Sequence, residues 1–218
     1  NLDSLVIIGC NLTGSIPSSL GMLRKVTLIN LGDNRLSGNI PHELGNCSSL
    51  HTLKLNGNQL QGEIPAALGN LKKLQSLELF ENKLSGEIPI SVWKIQSLTQ
   101  MVVHNNTLTG ELPAEVTELK NLKKLLMFNN SFHGGIPMSL GVNRSLEEVD
   151  LIGNSFTGEI PPNLCHGQKL RFFNLGSNQL HGSIPPSVGQ CKTLERIWLG
   201  GNKLSGVLPE FPDTHSLE

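Results

Sequence analysis

The chain has 218 residues, of which 38% are hydrophobic and 16% charged, with a formal net charge of −1. That balance excludes the basic footprint of a general nucleic-acid binder, and no uncharged apolar run reaches the roughly 18 residues of a membrane span. Aromatic residues make up only 4% and tyrosine is absent, whereas glycine (23) and proline (12) are plentiful, so the core must be largely aliphatic and the chain frequently turned.

A phrase L-x-x-L-x-L-x-x-N-x-L-x-G-x-I-P-x-x-L opens at Leu2 and returns every 24 residues, at Val26, Leu50, Leu74, Leu98, Leu122, Leu146, Leu170 and Leu194. Nine copies fill residues 2–217 without insertion or deletion, a register that chance does not hold. Within each copy the first element is L-x-x-L-x-L, as in Leu50, Leu53 and Leu55. Its alternation of apolar and polar residues predicts a half-buried strand, and stacked copies should place these strands in parallel about 4.7–4.9 Å apart.

The ninth position is next: Asn34, Asn58, Asn82, Asn106, Asn130, Asn154, Asn178 and Asn202, with Cys10 in the first copy. An inward-turned amide there bonds backbone groups that the turn would leave unpaired, which Cys10 does only weakly. The glycine at position 13, from Gly14 to Gly206, suits a backbone with positive φ. Ile-Pro or Leu-Pro follows, as at Ile64-Pro65 and Leu112-Pro113. The aliphatic residue packs inward, and the proline stiffens the turn and denies the ladder a donor.

No copy can bury its apolar face alone, so neighbours must stack. The expected fold is an α/β repeat solenoid over residues 1–218, with a parallel sheet on its concave face and a superhelical twist. Neither end shows a polar cap, so an uncapped piece of a longer solenoid is expected.

The L-x-G-x-I-P phrase at this period resembles the plant-specific class of extracellular leucine-rich repeats. That class is found in receptor-like kinases, receptor-like proteins and polygalacturonase inhibitors. Longer runs resemble the receptors for plant elicitor (Pep) peptides: residues 1–7, the LQSLELFEN of 74–82, the GVNRSLEEVDLIGN of 141–154 and the GEIPPNLCHG of 158–167. The resemblance implies a receptor-kinase ectodomain on the outer side of the plasma membrane. It would bind an endogenous danger peptide in immunity and recruit a SERK-type co-receptor kinase. A soluble polygalacturonase-inhibitor-like protein is the alternative. The resemblance also implies a Ser/Thr kinase domain in the full-length family member, while this chain shows no transmembrane helix or kinase motif.

Sequons at Asn11, Asn46, Asn105, Asn129 and Asn143 point to a glycosylated, secreted surface. Four cysteines lack any C-x-x-C spacing, so a zinc or other metal site is not expected; no cofactor is expected either. Cys165 and Cys191 hold positions 20 and 22 of adjacent copies, where a disulfide can close. Cys10 and Cys47 are expected in buried framework slots.

The framework leaves positions 3, 5, 7 and 8 free on the concave face. In the middle copies Phe80, Val102, Leu126, Phe128 and Ile152 form an expected exposed apolar stripe, the mark of a binding surface. Glu78, Glu81, Glu148 and Asp150 flank it and favour a basic partner, and His104 is the one histidine that the register places on this side. The ligand contacts expected are therefore Glu78, Phe80, Glu81, Val102, His104, Leu126, Phe128, Asp150 and Ile152. Trp198 and Phe172 are weaker candidates near the end of the chain. Nine strands give a floor of roughly 38 Å, room for about 11–12 residues of extended peptide. The implied partner is a basic extended peptide, with neither nucleic acid nor membrane touched by this chain. None of the hydrolase, metalloprotease, phosphate-loop or kinase motifs occurs, so the chain is read as non-catalytic.

Overall fold

A computed structural model describes residues 2–211; Asn1 and the segment expected to complete the ninth repeat at residue 217 lie outside them. The third to fifth residues of each repeat form a short strand, from Ser4–Val6 and Leu28–Asn30 through to Phe172–Asn174 and Arg196–Trp198. These nine strands build one parallel sheet in chain order. Register is strict: Ser4 faces Leu28, Thr52 faces Ser76 and Lys124 faces Glu148, each 24 residues apart. A parallel pair needs a crossover of a dozen or more residues, and the rest of each repeat supplies it.

The repeated apolar positions point into the coil. In the third copy Leu50, Leu53, Leu55, Leu60, Leu68 and Leu71 are fully buried and Ile64 nearly so. Burying each such side chain contributes about 2 kcal/mol, and stacked neighbours are what provide the cover. Phe132 and Phe156 replace leucine at position 11 of adjacent copies, their rings 6.3 Å apart.

A second ladder was not read from the sequence. The x-L-x-G-x stretches, such as Arg35–Asn39, Lys83–Glu87 and Thr107–Glu111, form a seven-stranded parallel sheet running from Thr13–Ser15 to Ser155–Thr157. His181–Gly182 pairs separately with Lys203–Leu204. Every one of these strands ends before the Ile-Pro or Leu-Pro that follows, where proline has no N–H to donate. The glycine of this stretch has positive φ in every copy, from 72° at Gly86 to 94° at Gly110. A Cβ at Gly110 would also come within 2.8 Å of Glu87 Cγ.

Beyond the proline the chain makes single helical turns. Pro17, Pro41 and Pro65 hold φ at −66°, −64° and −65°, each directly before a 3-10 helix: Ser18–Met22, His42–Asn46 and Ala66–Asn70. Ala114–Glu118 follows the same plan, and Pro186–Gly189 is one short α-helical turn. Among the described residues the helical share of the solenoid is confined to these tight turns.

Asparagines tie coil to coil. Asn106 Nδ2 donates to the carbonyls of Leu79, Val103 and His104 at 3.1, 3.1 and 3.3 Å, while its Oδ1 accepts the Leu84 N–H at 2.9 Å. Neighbouring copies repeat the set, so the Leu79 carbonyl receives both Asn82 and Asn106. At the first copy Cys10 Sγ reaches only the Ile8 carbonyl, and Asn34 alone serves the Ile7 carbonyl and the Cys10 and Leu12 N–H groups.

Cys47 fills a buried slot, where burial pushes its thiol pKa up. Cys10 is exposed, which corrects the expectation for it: among the described residues no coil packs on its outer side. Cys165 and Cys191 are joined, their Cα atoms 5.7 Å apart on adjacent coils.

Candidate functional site

In-register strands place equal repeat positions about 4.7–4.9 Å apart across the concave sheet. At position 7 this spacing is that of stacked rings. Phe80, His104 and Phe128 form a continuous pile with centroid separations of 4.5 and 4.0 Å and interplanar angles of 20° and 9°. Ile152 continues the row in the next repeat.

The pile covers itself, and this corrects the expectation of an exposed stripe. Phe80, Leu126, Phe128 and Ile152 are half-buried, and Val102 is only 7% exposed. Val102 sits between Glu78 and Leu126 at the same position of the flanking strands, and side chains at strand spacing shield one another. The surface is a low ridge with Val102 beneath it as support.

The acidic flank is also smaller than expected. Glu78 pairs with Lys54 at 3.0 Å and accepts from Ser76 Oγ at 3.0 Å. Glu148 pairs with Lys124 at 2.8 Å. Asp150 accepts from Asn174 Nδ2 at 2.8 Å and from the Ile152 N–H at 3.1 Å. Among the described residues Glu81 alone of these four is exposed without an ion pair, and its backbone is held at φ 55°.

His104 lies between these groups and two aromatic rings. Burial pushes its pKa below the ordinary 6.5, while Glu81 and then Asp150 pull in the opposite direction. Among the described residues its Nδ1 is buried without a hydrogen-bond partner, and so is Asn174 Oδ1; both side chains belong to the concave face. Orphaned polar atoms are uncommon in folded proteins, and here two fall in one face.

The ridge ends where position 7 becomes glycine, at Gly176 and Gly200. Trp198 folds back over that gap: a Cβ at Gly176 would lie 2.5 Å from its Cδ1. The indole is 59% exposed. Beside it Phe172 is flanked by the guanidinium groups of Arg171 and Arg196, 5.2 and 5.9 Å from its centroid. Hydrogen bonding with Glu195 holds the Arg171 pKa up and that of Glu195 down. Position 3 sets Phe172 and Arg196 on neighbouring strands.

Of the sequon asparagines, Asn11, Asn46 and Asn129 are exposed, while Asn105 and Asn143 are half-buried. Asn143 Nδ2 donates to the Leu119 carbonyl at 2.7 Å, and Asn129 Nδ2 donates to Asn105 Oδ1 at 2.9 Å. Among the described residues no cluster of three His, Cys, Asp or Glu could hold a metal ion, and no helix is long and apolar enough to cross a membrane.

The arrangement is suited to non-covalent reading of an extended chain. Every internal strand edge is already paired, so a chain lying on this face would meet side chains rather than free backbone groups.

The family model described as Leucine Rich Repeat matches residues 1–23, 25–47, 49–71, 73–95, 145–166 and 169–191. No curated protein matches the chain. A crystal structure of PEPR1–AtPEP1 is 68% identical over 99% of the chain with a TM-score of 0.98, and 30% of that structure's chain is covered. The Arabidopsis receptor kinase HAESA, in complex with the peptide hormone IDA and the co-receptor SERK1, is 42% identical over 96% of the chain. Its TM-score is 0.91 and 35% of it is covered. A TDR receptor is 42% identical over 90% of the chain with a TM-score of 0.89, and 34% of it is covered. The chain thus spans about a third of the length of these structures. On its repeats and on these likenesses, the chain belongs to the leucine-rich-repeat family, in the form found in plant receptor ectodomains.

Proposed function

We propose that the chain is the peptide-binding middle of a plant receptor-kinase ectodomain, lying on the extracellular side of the plasma membrane. In this reading it perceives an endogenous danger peptide of the Pep type and signals in immunity with a SERK-type co-receptor. The observation that carries the reading is the 68% identity, sustained over 99% of the chain, to PEPR1 crystallised with AtPEP1. The HAESA complex, which contains SERK1, supports the co-receptor part. The kinase domain belongs to the remainder of the full-length protein. These relatives are receptor ectodomains, which favours the receptor over the inhibitor reading.

On the concave face the peptide lies across the strands. Phe80, His104, Phe128, Leu126 and Ile152 supply its apolar contact, and the exposed Glu81 supplies the carboxylate for a basic side chain. Glu78 and Asp150 contribute through lone pairs left beside their present partners, and Val102 holds the ridge from below. Calorimetric titration with a synthetic basic Pep-type peptide tests this, comparing the chain with a Phe80→Ala/Phe128→Ala variant. Saturable binding that the variant loses is the expected result. Binding that the folded variant keeps would remove the ridge from the site, and absence of binding to the folded chain would refute the reading for this segment.

A further inference from the structure

Away from the concave sheet the charges separate by edge. Position 14, at the end of the second ladder, carries Glu63, Glu87, Glu111 and Glu159, each with its stem over the position-13 glycine of the next coil. Positions 23 and 24, where the chain turns into the concave strand, carry Lys72, Lys73, Lys120, Lys169 and Lys192, while position 2 beside them is mixed, with Lys123 and Arg171 next to Glu147 and Glu195. The overall charge of −1 conceals this division.

Two clefts run end to end along the cationic edge. One is lined by Ser97, Thr99, Lys120, Lys123 and Lys169, the other by Lys169, Arg171, Lys192 and Thr193, with Lys169 common to both. Together they reach from the fourth coil to the ninth, roughly 24 Å at the strand spacing. The carboxylates within them are already engaged: Glu147 with Lys123 at 3.0 Å, and Glu195 with Arg171 through two bonds. Lys120, Lys169 and Lys192 are exposed, with no carboxylate partner among the described residues.

The rest of the lining is polar and fixed. Ser97, Ser145 and Thr193 hydroxyls donate inward to the carbonyls of Leu74, Leu122 and Leu170 at 2.7, 2.6 and 2.8 Å. Each oxygen remains able to accept a hydrogen bond from outside. No aromatic side chain lines the trough, and its one apolar residue, Leu194, is buried.

This lining selects the partner. Protein interfaces draw their affinity from aromatic and apolar anchors, and single-stranded nucleic acid binds on stacking platforms; the trough offers neither. Unpaired amines in a row, set among hydroxyls and amides, suit a linear, hydroxyl-rich chain bearing regular carboxylates. We propose that this edge binds a linear polyuronate, laid along the stack and separate from the concave face. The proposal stands independently of the peptide reading.

The test is calorimetric titration of the full chain with a de-esterified oligogalacturonide at low ionic strength and with a chelator present. Saturable binding is expected, weakened about tenfold or more in a Lys120→Gln/Lys169→Gln/Lys192→Gln variant and unaltered in Glu63→Gln/Glu87→Gln/Glu111→Gln. Added salt should weaken it, since these amines face solvent, and the fully methyl-esterified oligomer should not bind. The three lysines are exposed, so the variant's circular dichroism should match that of the parent. Failure of the oligomer to bind at low salt would overturn the proposal, as would equal binding by the lysine variant or by the esterified oligomer. Loss of binding in Phe80→Ala/Phe128→Ala would place the polymer on the concave face and overturn it equally.

Discussion

Replacement of Asn106 by alanine removes four hydrogen bonds, yet it does not leave four groups unpaired. The Leu79 carbonyl keeps Asn82 Nδ2 at 3.1 Å, the Val103 carbonyl keeps Asn130 Nδ2 at 3.1 Å, and the His104 carbonyl keeps the Glu81 N–H at 3.0 Å. The Leu84 N–H alone loses its acceptor. One unpaired buried donor costs about 1–3 kcal/mol, and the three weakened carbonyls add on the order of 1 kcal/mol between them. A loss of about 2–4 kcal/mol is therefore expected, measured by urea denaturation, with accelerated exchange of the Leu84 amide. Asn106→Asp is the discriminating control. It keeps an acceptor for Leu84 but turns an oxygen towards three carbonyls, so its carboxyl is hardest to ionise when folded. Its folded pKa is raised, so relative to the parent this variant should be most stable below the unfolded value of about 3.9 and lose stability as pH rises from there through the folded value. A loss below about 1 kcal/mol for alanine would refute the reasoning, as would an Asp variant that gains stability with rising pH.

Further outcomes follow from the same geometry. Because the His104 pKa is lowered on folding, the unfolded chain takes up its proton first. Stability should fall as pH drops below about 6.5 and level off beneath the folded value; His104→Phe should flatten that slope in urea titrations, and an unchanged slope would sink the assignment. Glu81 holds a left-handed backbone at φ 55°, so Glu81→Gly should stabilise the fold by about 0.5–1 kcal/mol while weakening a basic peptide. A stabilised variant with undiminished peptide affinity would take Glu81 out of the site. The Cys165–Cys191 bond closes a separation of 26 residues, worth about 3.5 kcal/mol in the chain-entropy account. Thermal unfolding with and without reductant measures it, and coincident curves would count against the bond in solution.

The stacked sheet and its core were legible because both depend on residue type at a fixed period. Leu53 is buried for the same reason as Leu77 and Leu125, and one repeat read correctly is every repeat read. The concave surface obeys another rule. Val102 is covered because Glu78 and Leu126 stand on either side of it, and Glu148 is neutralised because Lys124 precedes it by one coil. Reading position 5 or 7 as an isolated column overstates exposure and free charge, because it omits the shielding between neighbours in that column. The second ladder escaped notice for a different reason: x-L-x-G-x has too little apolar alternation to announce a strand, and its glycine sits at positive φ, outside the ordinary strand region.

Strict register has a consequence for how such a chain can change. Lys54 with Glu78, Lys123 with Glu147, Lys124 with Glu148 and Arg171 with Glu195 are each pairs one coil apart, as are the rings of Phe80, His104 and Phe128. Inserting or deleting one coil leaves the leucines and asparagines in register, since every copy offers nearly the same set. An insertion parts each pair that spans the junction by a further strand spacing of about 4.8 Å and splits the ring pile where it falls within it, whereas a deletion removes one partner of each pair it touches. Unequal exchange between repeats therefore keeps the fold while changing which side chains meet on the concave face.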